Sequence, residues 1–505
     1  MSIELKALVD KANDRIIFAE CDEDLADVLF SFLTMPIGTI VRLTNNRPPI
    51  TAIGCMNNLY ASVENLDVKR FRTEACKTML LRPKNGSATQ YKDLKLKIDS
   101  EIPKYFFCGK LKNDGETPEY LLGLQSDCIA YDWRKLDRIA YECKLLSQYV
   151  GSYCDCGNAM NSSAIVDTIG SKDSIDGTAF AKEFTRFVIS DELQVMPSSA
   201  AASFSLISKL GIMDMSSTEE RVFNIGYDEV LNLLKSLFVS KFPLTETFLR
   251  PKELPDFSKE TFQASSIIKH QLIRENARQE NVKICARLLL SKSKKRVCYA
   301  EVGDDFVDLL FSFLTIPLGF IMKEMNGAHS KGCINYLYKS IMDLDSEKYF
   351  KTNGHKEILL SPKIAPDFGY ENQLLGVKEV AHQLCYQKQT YFNDVGWKIG
   401  ISLDKPTSNT SIALRVKHPK STYKSGKTGG GFVMGPAVFT VTDDLIVTPI
   451  SQFSGLSVLN KLNIPFNDIE ELNVHVGNEE ASRLLVASFM SESALTETFL
   501  QKKIK

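Results

Sequence analysis

The sequence has few of the features that mark a hydrolase or a membrane protein. Its first 269 residues contain no histidine, and all six histidines follow from His270 onward. No Gly-x-Ser-x-Gly elbow for a nucleophilic serine occurs. The most apolar run, residues 309–322, is interrupted by proline and glycine and is shorter than the about 20 residues that cross a bilayer. These absences disfavour both a serine hydrolase and a membrane-spanning protein.

The sequence also lacks an excess of charge of either sign. Lysine plus arginine (61) nearly cancels aspartate plus glutamate (62), so no overall field attracts nucleic acid or a membrane surface, although a local basic patch stays open. The N-terminus lacks the charged start, apolar stretch and cleavage site of a secretory signal. Twelve cysteines are spread along the chain, and without a signal we expect reduced thiols in a cytoplasmic or nuclear protein.

What the sequence does contain is an internal repeat. Residues 17–40 align with residues 298–321 at a constant offset, and 13 of these 24 positions are identical. The string LTETFL then occurs unchanged at residues 244–249 and 495–500. The sequence therefore predicts two tandem copies of one unit, which we call the first unit (residues 1–250) and the second unit (residues 281–505).

We predict that each unit has an N-terminal half, a middle region and a C-terminal half. The expected boundaries are 1–100, 101–178 and 179–250 in the first unit, a linker over 251–280, and 281–365, 366–430 and 431–505 in the second unit. The middle regions differ most, because the first contains five cysteines and the second contains only Cys385. A function specific to one unit is therefore expected in its middle region.

Alternating apolar residues and Asp-rich turns predict a β-hairpin at the start of each half. At the start of the chain the expected strands are residues 4–9 and 15–19, followed by a helix over residues 25–33 that ends before Pro36 and Gly38. Near the C-terminus we expect a hairpin over residues 438–447 and helices over residues 456–462 and 479–489. Hairpins mixed with helices, without βαβ alternation, indicate an α+β fold in which each unit is built from β-hairpin-plus-helix halves.

The cysteines of the first middle region are the main candidate site. Cys154 and Cys156 form a Cys-x-Cys-Gly sequence, and Cys108 lies upstream. Four thiolates close a tetrahedral zinc site, and a glycine after a ligand lets backbone N–H groups approach the sulfur. We therefore predict a structural zinc held by Cys108, Cys128, Cys154 and Cys156, in which Cys143 could replace Cys128. The alternative is a set of buried or incidental thiols.

A loop in the second middle region is locally basic. Between Arg415 and Lys427 it carries five basic side chains that could contact phosphates, although a solvated loop explains the same charges. The loop also contains the string SGKT at residues 425–428, which resembles the end of a P-loop. The upstream glycine of that motif is replaced by Ser421, and a strand-like run follows where the motif needs a helix. A nucleotide site is therefore not expected here.

Acidic residues shared by the two copies are interpreted as structural. Asp24 and Asp27 lie near the start of a predicted helix, where carboxylates cap free N–H groups and are stabilised by the helix dipole. Asp191 and Asp443, each followed by a second acidic residue, are expected in turns. Asp24 and Asp27 share one helix face, so an acid–base role is the alternative for them. The turn acids would be poorly arranged as a catalytic pair, because adjacent strand positions point to opposite faces.

Cys55 and Cys333 align between the two copies. A small, buried core residue explains this pattern at least as well as a reactive thiol. A pairing of Cys333 with His355 for nucleophilic catalysis is the alternative that the sequence leaves open.

The repeated strings resemble a known family. ALVDKANDRIIFAECDEDLADVLFSFLTMPIGTIVRL, its partner RLLLSKSKKRVCYAEVGDDFVDLLFSFLTIPLGFIM and the later FTVTDDLIVTPIS are similar to the plant family catalogued as domain of unknown function 674. The resemblance covers nearly the whole chain. Cys108, Cys154, Cys156 and Gly157 match cysteine and glycine positions of the family pattern, whereas a second cysteine close after Cys108 is absent. The resemblance implies a plant source and no known activity.

Three functions are compatible with these observations. The favoured hypothesis is a non-enzymatic interaction or scaffold protein with protein partners, because the shared residues are mainly apolar or turn-forming. The second is a zinc-stabilised nucleic-acid-binding protein, based on the cysteines and the basic loop. The third is an enzyme of unknown class, which requires a cleft holding a titratable residue with a strongly shifted pKa. No catalytic residue is assigned.

Overall fold

The structure is a computed structural model of the chain. It describes residues 2–44, 53–99, 104–108, 145–165, 178–250, 283–325, 332–371, 373–381, 385–392, 396–402, 413–421, 430–451 and 453–500. The predicted linker, Cys128, Cys143 and the SGKT string lie outside the described residues.

The described residues form strands and helices in mixed order, as an α+β fold requires. The strands are β1 (Ile3–Asp10), β2 (Arg15–Cys21), β3 (Lys104–Phe107), β4 (Leu145–Leu146), β5 (Ser152–Tyr153), β6 (Ala159–Met160), β7 (Ser162–Ile165), β8 (Phe187–Ser190), β9 (Val195–Pro197), β10 (Thr218–Ile225), β11 (Ile284–Ser291), β12 (Arg296–Gly303), β13 (Cys385–Phe392), β14 (Gly396–Ser402), β15 (Ala413–Val416), β16 (Val438–Thr442), β17 (Val447–Pro449) and β18 (Ile469–Val476). The helices are α1 (Glu23–Ser31), α2 (Ile37–Thr44), α3 (Met56–Asn65), α4 (Glu74–Leu81), α5 (Ala200–Lys209), α6 (Tyr227–Val239), α7 (Pro243–Phe248), α8 (Asp304–Ser312), α9 (Leu318–Met325), α10 (Ile334–Asp343), α11 (Ser346–Tyr349), α12 (Asn353–Leu360), α13 (Ser454–Lys461), α14 (Asn478–Met490) and α15 (Ala494–Phe499).

The strands of the first unit form one five-stranded antiparallel sheet in the order β10-β1-β2-β8-β9. In β1 every second side chain is buried through Ala7, so one face of the sheet lies on the core. The predicted hairpin of β1 and β2 is confirmed. The N-terminal and C-terminal halves are not separate layers, because β8 pairs with β2 and β10 pairs with β1.

The second unit contains a five-stranded antiparallel sheet with the matching order β18-β11-β12-β16-β17. Its predicted hairpin, β16 and β17, is confirmed. Strands β10 and β18 carry no alternating apolar pattern, since most of their side chains are exposed at the sheet edge. The sequence pattern therefore does not predict these two strands.

The helix after each opening hairpin is also confirmed. Asp22 is the N-cap of α1, and its side chain accepts a hydrogen bond from the backbone N–H of Leu25. After a short 3-10 turn the chain reaches Pro36, and α2 then begins. Helices α8 and α9 repeat this break around Pro317.

The two units meet at these breaks. Pro36 forms a bridge to Pro317, the Ile37 N–H donates to the Ile316 carbonyl and the Leu318 N–H donates to the Met35 carbonyl, both at 3.0 Å. This reciprocal backbone pairing, which we call the seam, lies inside one apolar cluster that contains residues of both units.

Two glycines allow the backbone to pack closely next to the seam. A Cβ atom on Gly319 would lie 2.5 Å from the Leu359 carbonyl oxygen and 3.1 Å from that of Leu33. A Cβ atom on Gly38 would lie 3.0 Å from the carbonyl oxygens of Leu314 and Leu80. Both glycines therefore allow close backbone packing between neighbouring elements.

Beyond the seam, each unit packs helices onto the other. The Ser62 hydroxyl of α3 accepts a hydrogen bond from the Val447 N–H at 2.9 Å, and the Ser340 hydroxyl of α10 accepts one from the Val195 N–H at 2.9 Å. Aromatic rings also make contacts between the two units. Ring centroids lie 5.9 Å apart for Phe30 and Phe350 and 6.4 Å apart for Phe71 and Phe311. The two units are therefore reciprocally interleaved.

The middle regions also meet. Strand β15 of the second unit pairs in parallel with β4 of the first, within a four-stranded sheet ordered β14-β13-β15-β4. Among the described residues, no helix has the length and apolar character that a bilayer crossing requires.

The seam predicts the effect of adding one methyl group. We expect Gly319→Ala to lower the free energy of unfolding by about 1–3 kcal/mol, because the new Cβ must displace the Leu359 carbonyl of α12 and would crowd that of Leu33 in the other unit. Urea denaturation of the full chain measures this change.

Gly354→Ala is the matched control. Its Cβ would meet nothing closer than the Thr352 hydroxyl at 3.5 Å, so this variant should stay within about 1 kcal/mol of the wild type. Equal stability of the Gly319→Ala and Gly354→Ala variants would contradict the packing assigned to the seam.

Candidate metal centre

Two short strand pairs bring three cysteines of the first middle region together. Strands β5 and β6 form a hairpin whose turn contains Cys154 and Cys156. Cys108 directly follows β3, which pairs with β7 just after that hairpin. Gly157 adopts φ +83°, a left-handed conformation that favours glycine, and its N–H donates to the Cys154 carbonyl at 2.9 Å.

The spacing of the three sulfurs suits one metal ion. All three Sγ atoms lie within 4.8 Å of one another, and those of Cys156 and Cys108 are 3.7 Å apart. Tetrahedral zinc with Zn–S bonds of about 2.3 Å requires sulfurs about 3.8 Å apart. Cys154 is buried, Cys108 is half-buried and Cys156 is exposed, so the thiols are anchored on one side and open to an ion on the other.

The electrostatics of Cys156 favour the thiolate form. Partial burial raises the pKa of this thiol, but hydrogen bonds from the backbone and side chain of Asn158 and from the two neighbouring cysteines outweigh burial and lower the pKa to about 7. The Asn158 side-chain amide lies 3.1 Å from Sγ. A large thiolate fraction near neutral pH is what a metal ligand requires. The predicted fourth ligand, Cys128 or Cys143, lies outside the described residues.

The basic loop of the second unit approaches this hairpin. The Lys417 ammonium group forms an ion pair with Asp155, which lies between Cys154 and Cys156. The Lys417 N–H donates to the Leu146 carbonyl at 2.6 Å. The candidate metal centre and the loop were predicted as separate features, and the structure places them in contact.

Two of the three described basic residues of this loop are engaged by the protein itself. Lys417 is ion-paired, and Lys420 is buried, donating to the Phe368 and Gly369 carbonyls at 3.1 and 2.8 Å. Burial lowers the pKa of Lys420 to about 8. Arg415 is exposed. The expectation of a solvated loop is therefore wrong for Lys420, whose ammonium lies over the Phe432 ring at 4.3 Å.

The shared acid Asp27 has a different role from the predicted helix cap. It is buried, and its carboxylate accepts hydrogen bonds from the backbone N–H groups of Ala179, Phe180 and Ala181, the last at 2.6 Å. Burial raises its pKa to about 7, although these hydrogen bonds and the charge of Lys351 oppose the rise. The capping interpretation is wrong here because Asp22 occupies the N-cap.

Asp308 repeats this arrangement in the second unit. It accepts from the Phe432 and Val433 N–H groups at 2.7 and 2.8 Å, and burial raises its pKa to about 7. A Cβ on Gly431 would overlap this carboxylate at 1.6 Å. Gly431, which follows the P-loop-like string, therefore lets the backbone approach Asp308.

The turn aspartates hold the repeated LTETFL string. Asp191 lies in the predicted turn and accepts from the Thr245 N–H and hydroxyl at 2.9 and 2.8 Å, and it also pairs with Arg15 at 3.0 Å. Asp443 accepts from the Thr496 N–H and hydroxyl at 2.8 Å each. Each acid thus joins the C-terminal helix of its unit to its own turn and, through Arg15 or Arg296, to the opening hairpin.

Cys333 and His355, the alternative catalytic pair, each have a different hydrogen-bond partner in the structure. The Cys333 thiol is buried and donates to the Ser240 carbonyl at 3.0 Å, while His355 Nδ1 lies 2.8 Å from the Thr352 hydroxyl. Cys55 is likewise buried and donates to the Ser491 carbonyl at 3.0 Å. The core-residue interpretation of both aligned cysteines is confirmed.

The sequence does not predict two interactions, the Asp155–Lys417 ion pair and the backbone hydrogen bonds of Asp27. The Asp155–Lys417 pair joins residues 262 positions apart, and no local pattern links them. Asp27 did carry a signal, because an acid recurs within an otherwise apolar helix in both copies. Such an acid requires buried hydrogen-bond donors.

The described fold belongs to the α+β class, with two five-stranded antiparallel sheets of matching strand order. The model of the family described as "Protein of unknown function (DUF674)" matches residues 1–479, and the chain belongs to this family. No curated protein and no solved structure matches the chain.

The buried carboxyl of Asp27 predicts a specific pH dependence. Its pKa is about 7 in the folded chain and about 4 when unfolded, so the folded state binds the proton more tightly between these values. The contribution of Asp27 to stability therefore falls as pH rises from 4 to 7, by up to about 1.4 kcal/mol per pH unit, and levels off above pH 7.

Asp27→Asn removes this titration. We expect the wild type to lose stability relative to the Asp27→Asn variant as pH rises through this window, as measured by urea unfolding between pH 4.5 and 8. A difference that stays constant with pH would contradict the raised pKa. A difference that grows in favour of the wild type would mean that the three N–H donors hold the carboxyl ionised.

Proposed function

We propose that this chain is a non-enzymatic interaction protein whose two units present equivalent binding faces to a protein partner. We also propose that the units are copies of one ancestral unit. The matching strand orders, the two Asp–Thr networks and the reciprocal serine hydrogen bonds support that origin.

The proposal rests on large apolar side chains that are exposed at corresponding places in the two units. Phe204 on α5 and Leu456 on α13 occupy aligned positions and are 68% and 42% exposed. Met215 and Phe466, each in the 3-10 turn before the edge strand of its sheet, are 52% and 68% exposed. A scattered exposed apolar residue is ordinary, but large apolar side chains repeated at equivalent places favour recognition.

The proposed face of the second unit contains a cleft. A cleft of about 510 Å³ lies between β12 and α13. It is lined by Tyr299, Glu301, Ile450, Ser451, Ser454, Gly455 and Leu456. Gly455 lets α13 approach β12, because a Cβ there would lie 2.4 Å from the Tyr299 hydroxyl. The aligned positions on β2 of the first unit are Phe18 and Glu20.

The lining indicates the chemistry of the partner. Each face combines an aromatic ring and a bulky apolar side chain with a glutamate at the aligned position, Glu20 or Glu301. A segment with an apolar side chain next to a basic residue complements this combination. A partner carrying two such segments gains avidity from both units.

The buried and ion-paired polar groups favour a protein-interaction role over an enzyme or a nucleic-acid-binding protein. The groups with strongly shifted pKa values among the shared acids, Asp27 and Asp308, bond to backbone N–H groups of their own chain, which disfavours the enzyme hypothesis. Lys417 and Lys420 are engaged within the chain, which weakens the phosphate contacts that a nucleic-acid-binding role needs.

The test compares Phe204→Ser, Leu456→Ser and the double variant as baits for affinity capture from the source tissue, with binding of the captured protein then measured directly. We expect one partner to be captured through both faces. Each single substitution should weaken its apparent affinity at least about 10-fold, and the double substitution at least about 100-fold, because avidity is lost with either face.

Phe184→Ser and Met342→Ser are matched controls, since these side chains are 91% and 55% exposed at other places. They should bind the partner like the wild type. Capture that is equal for the double variant and the controls would overturn the proposal.

A further inference from the structure

We propose that a zinc ion held by the thiolates of Cys108, Cys154 and Cys156 fastens the middle region of the first unit to that of the second. This role is independent of the binding faces proposed above. The three cysteines belong to the first unit only, but the zinc that they bind would stabilise the contact between both units.

The three cysteine sulfurs form a site of a shape that suits a metal ion. The three sulfurs lie within 4.8 Å of one another, and the Cys108–Cys156 separation of 3.7 Å is that of a tetrahedral thiolate centre. Each ligand thiol releases its proton to solvent on binding, and no electron is transferred. Zinc is favoured over harder ions such as magnesium because all three ligands are soft sulfur atoms.

Asp155 lies between two of the ligands in the sequence, so coordination of both neighbours fixes its backbone. Its carboxylate is the partner of Lys417 in the second unit. The metal therefore orders an acidic side chain that the second unit binds.

Leu145 of β4 packs in one apolar cluster with Cys154 and beside Cys108, and it is the residue that pairs with Arg415 of β15. The β4–β15 pairing is only two residues long, and so short a pairing is marginal without further support. Coordination of the cysteines stabilises β4 and, through it, the pairing with β15.

The first measurement is the metal content of the full chain purified under reducing conditions. We expect about one zinc per chain for the wild type and for Cys285→Ser, an exposed cysteine of the second unit that serves as the control. Cys108→Ser, Cys154→Ser and Cys156→Ser should each hold less than a tenth of that amount. Cys156 is exposed, so its variant tests the site without a folding defect.

Less than a tenth of a zinc in the reduced wild type, or a Cys108–Cys156 disulfide found in its place by intact mass, would overturn the proposal.

The second measurement separates fastening from binding. Hydrogen exchange of residues 413–417, which contain no ligand, should accelerate at least about tenfold when a chelator removes zinc from the wild type, and equally in Cys156→Ser without chelator. The Cys285→Ser control should match the wild type. Unchanged exchange in this segment after zinc removal would refute the fastening role.

Reciprocity gives an independent check. If zinc stabilises the contact between the units, the contact must strengthen zinc binding by the same factor. Lys417→Met removes the ion pair without touching a ligand, and we expect it to weaken zinc affinity at least about fivefold in a chelator competition. An unchanged affinity would show that the metal and the contact are not coupled.

Discussion

Close backbone contact at the seam is the constraint on which the rest of the structure depends. Two chain segments pair there through main-chain atoms, and a Cβ on Gly38 or Gly319 would crowd the carbonyl oxygen of Leu314 or Leu33 in the other unit. On either side of the seam, helices α3 and α10 each accept a hydrogen bond from an edge strand of the other unit's sheet, β17 and β9 respectively. Buried apolar residues of both units form one cluster, so the two units share a single core.

This constraint explains what the two copies share. The repeated Pro and Gly form the seam, the repeated aspartates bond to backbone or to the LTETFL threonines, and the repeated cysteines lie in the core. The shared residues thus serve folding. The differing middle regions and the exposed surface are left for chemistry and recognition, which is why the metal centre and the binding faces are proposed there.

Much of this could be predicted from the sequence. The opening hairpins, the helices after them and the breaks at Pro36 and Pro317 follow from local apolar periodicity and from proline geometry, which act over a few residues. Three cysteines of the predicted site do lie together. Strands β10 and β18 escaped prediction because edge strands with exposed side chains carry no alternating pattern.

The sequence by itself determined the repeat, the α+β class and the residue types that could hold a metal, since these depend on identity and short-range spacing. Only the tertiary structure decided that the units interleave, that Asp27 accepts hydrogen bonds from residues 152 to 154 positions away, and that Lys417 meets Asp155. Those contacts form between segments far apart in the chain. Their partners are selected by the packing of the whole core and not by any local pattern.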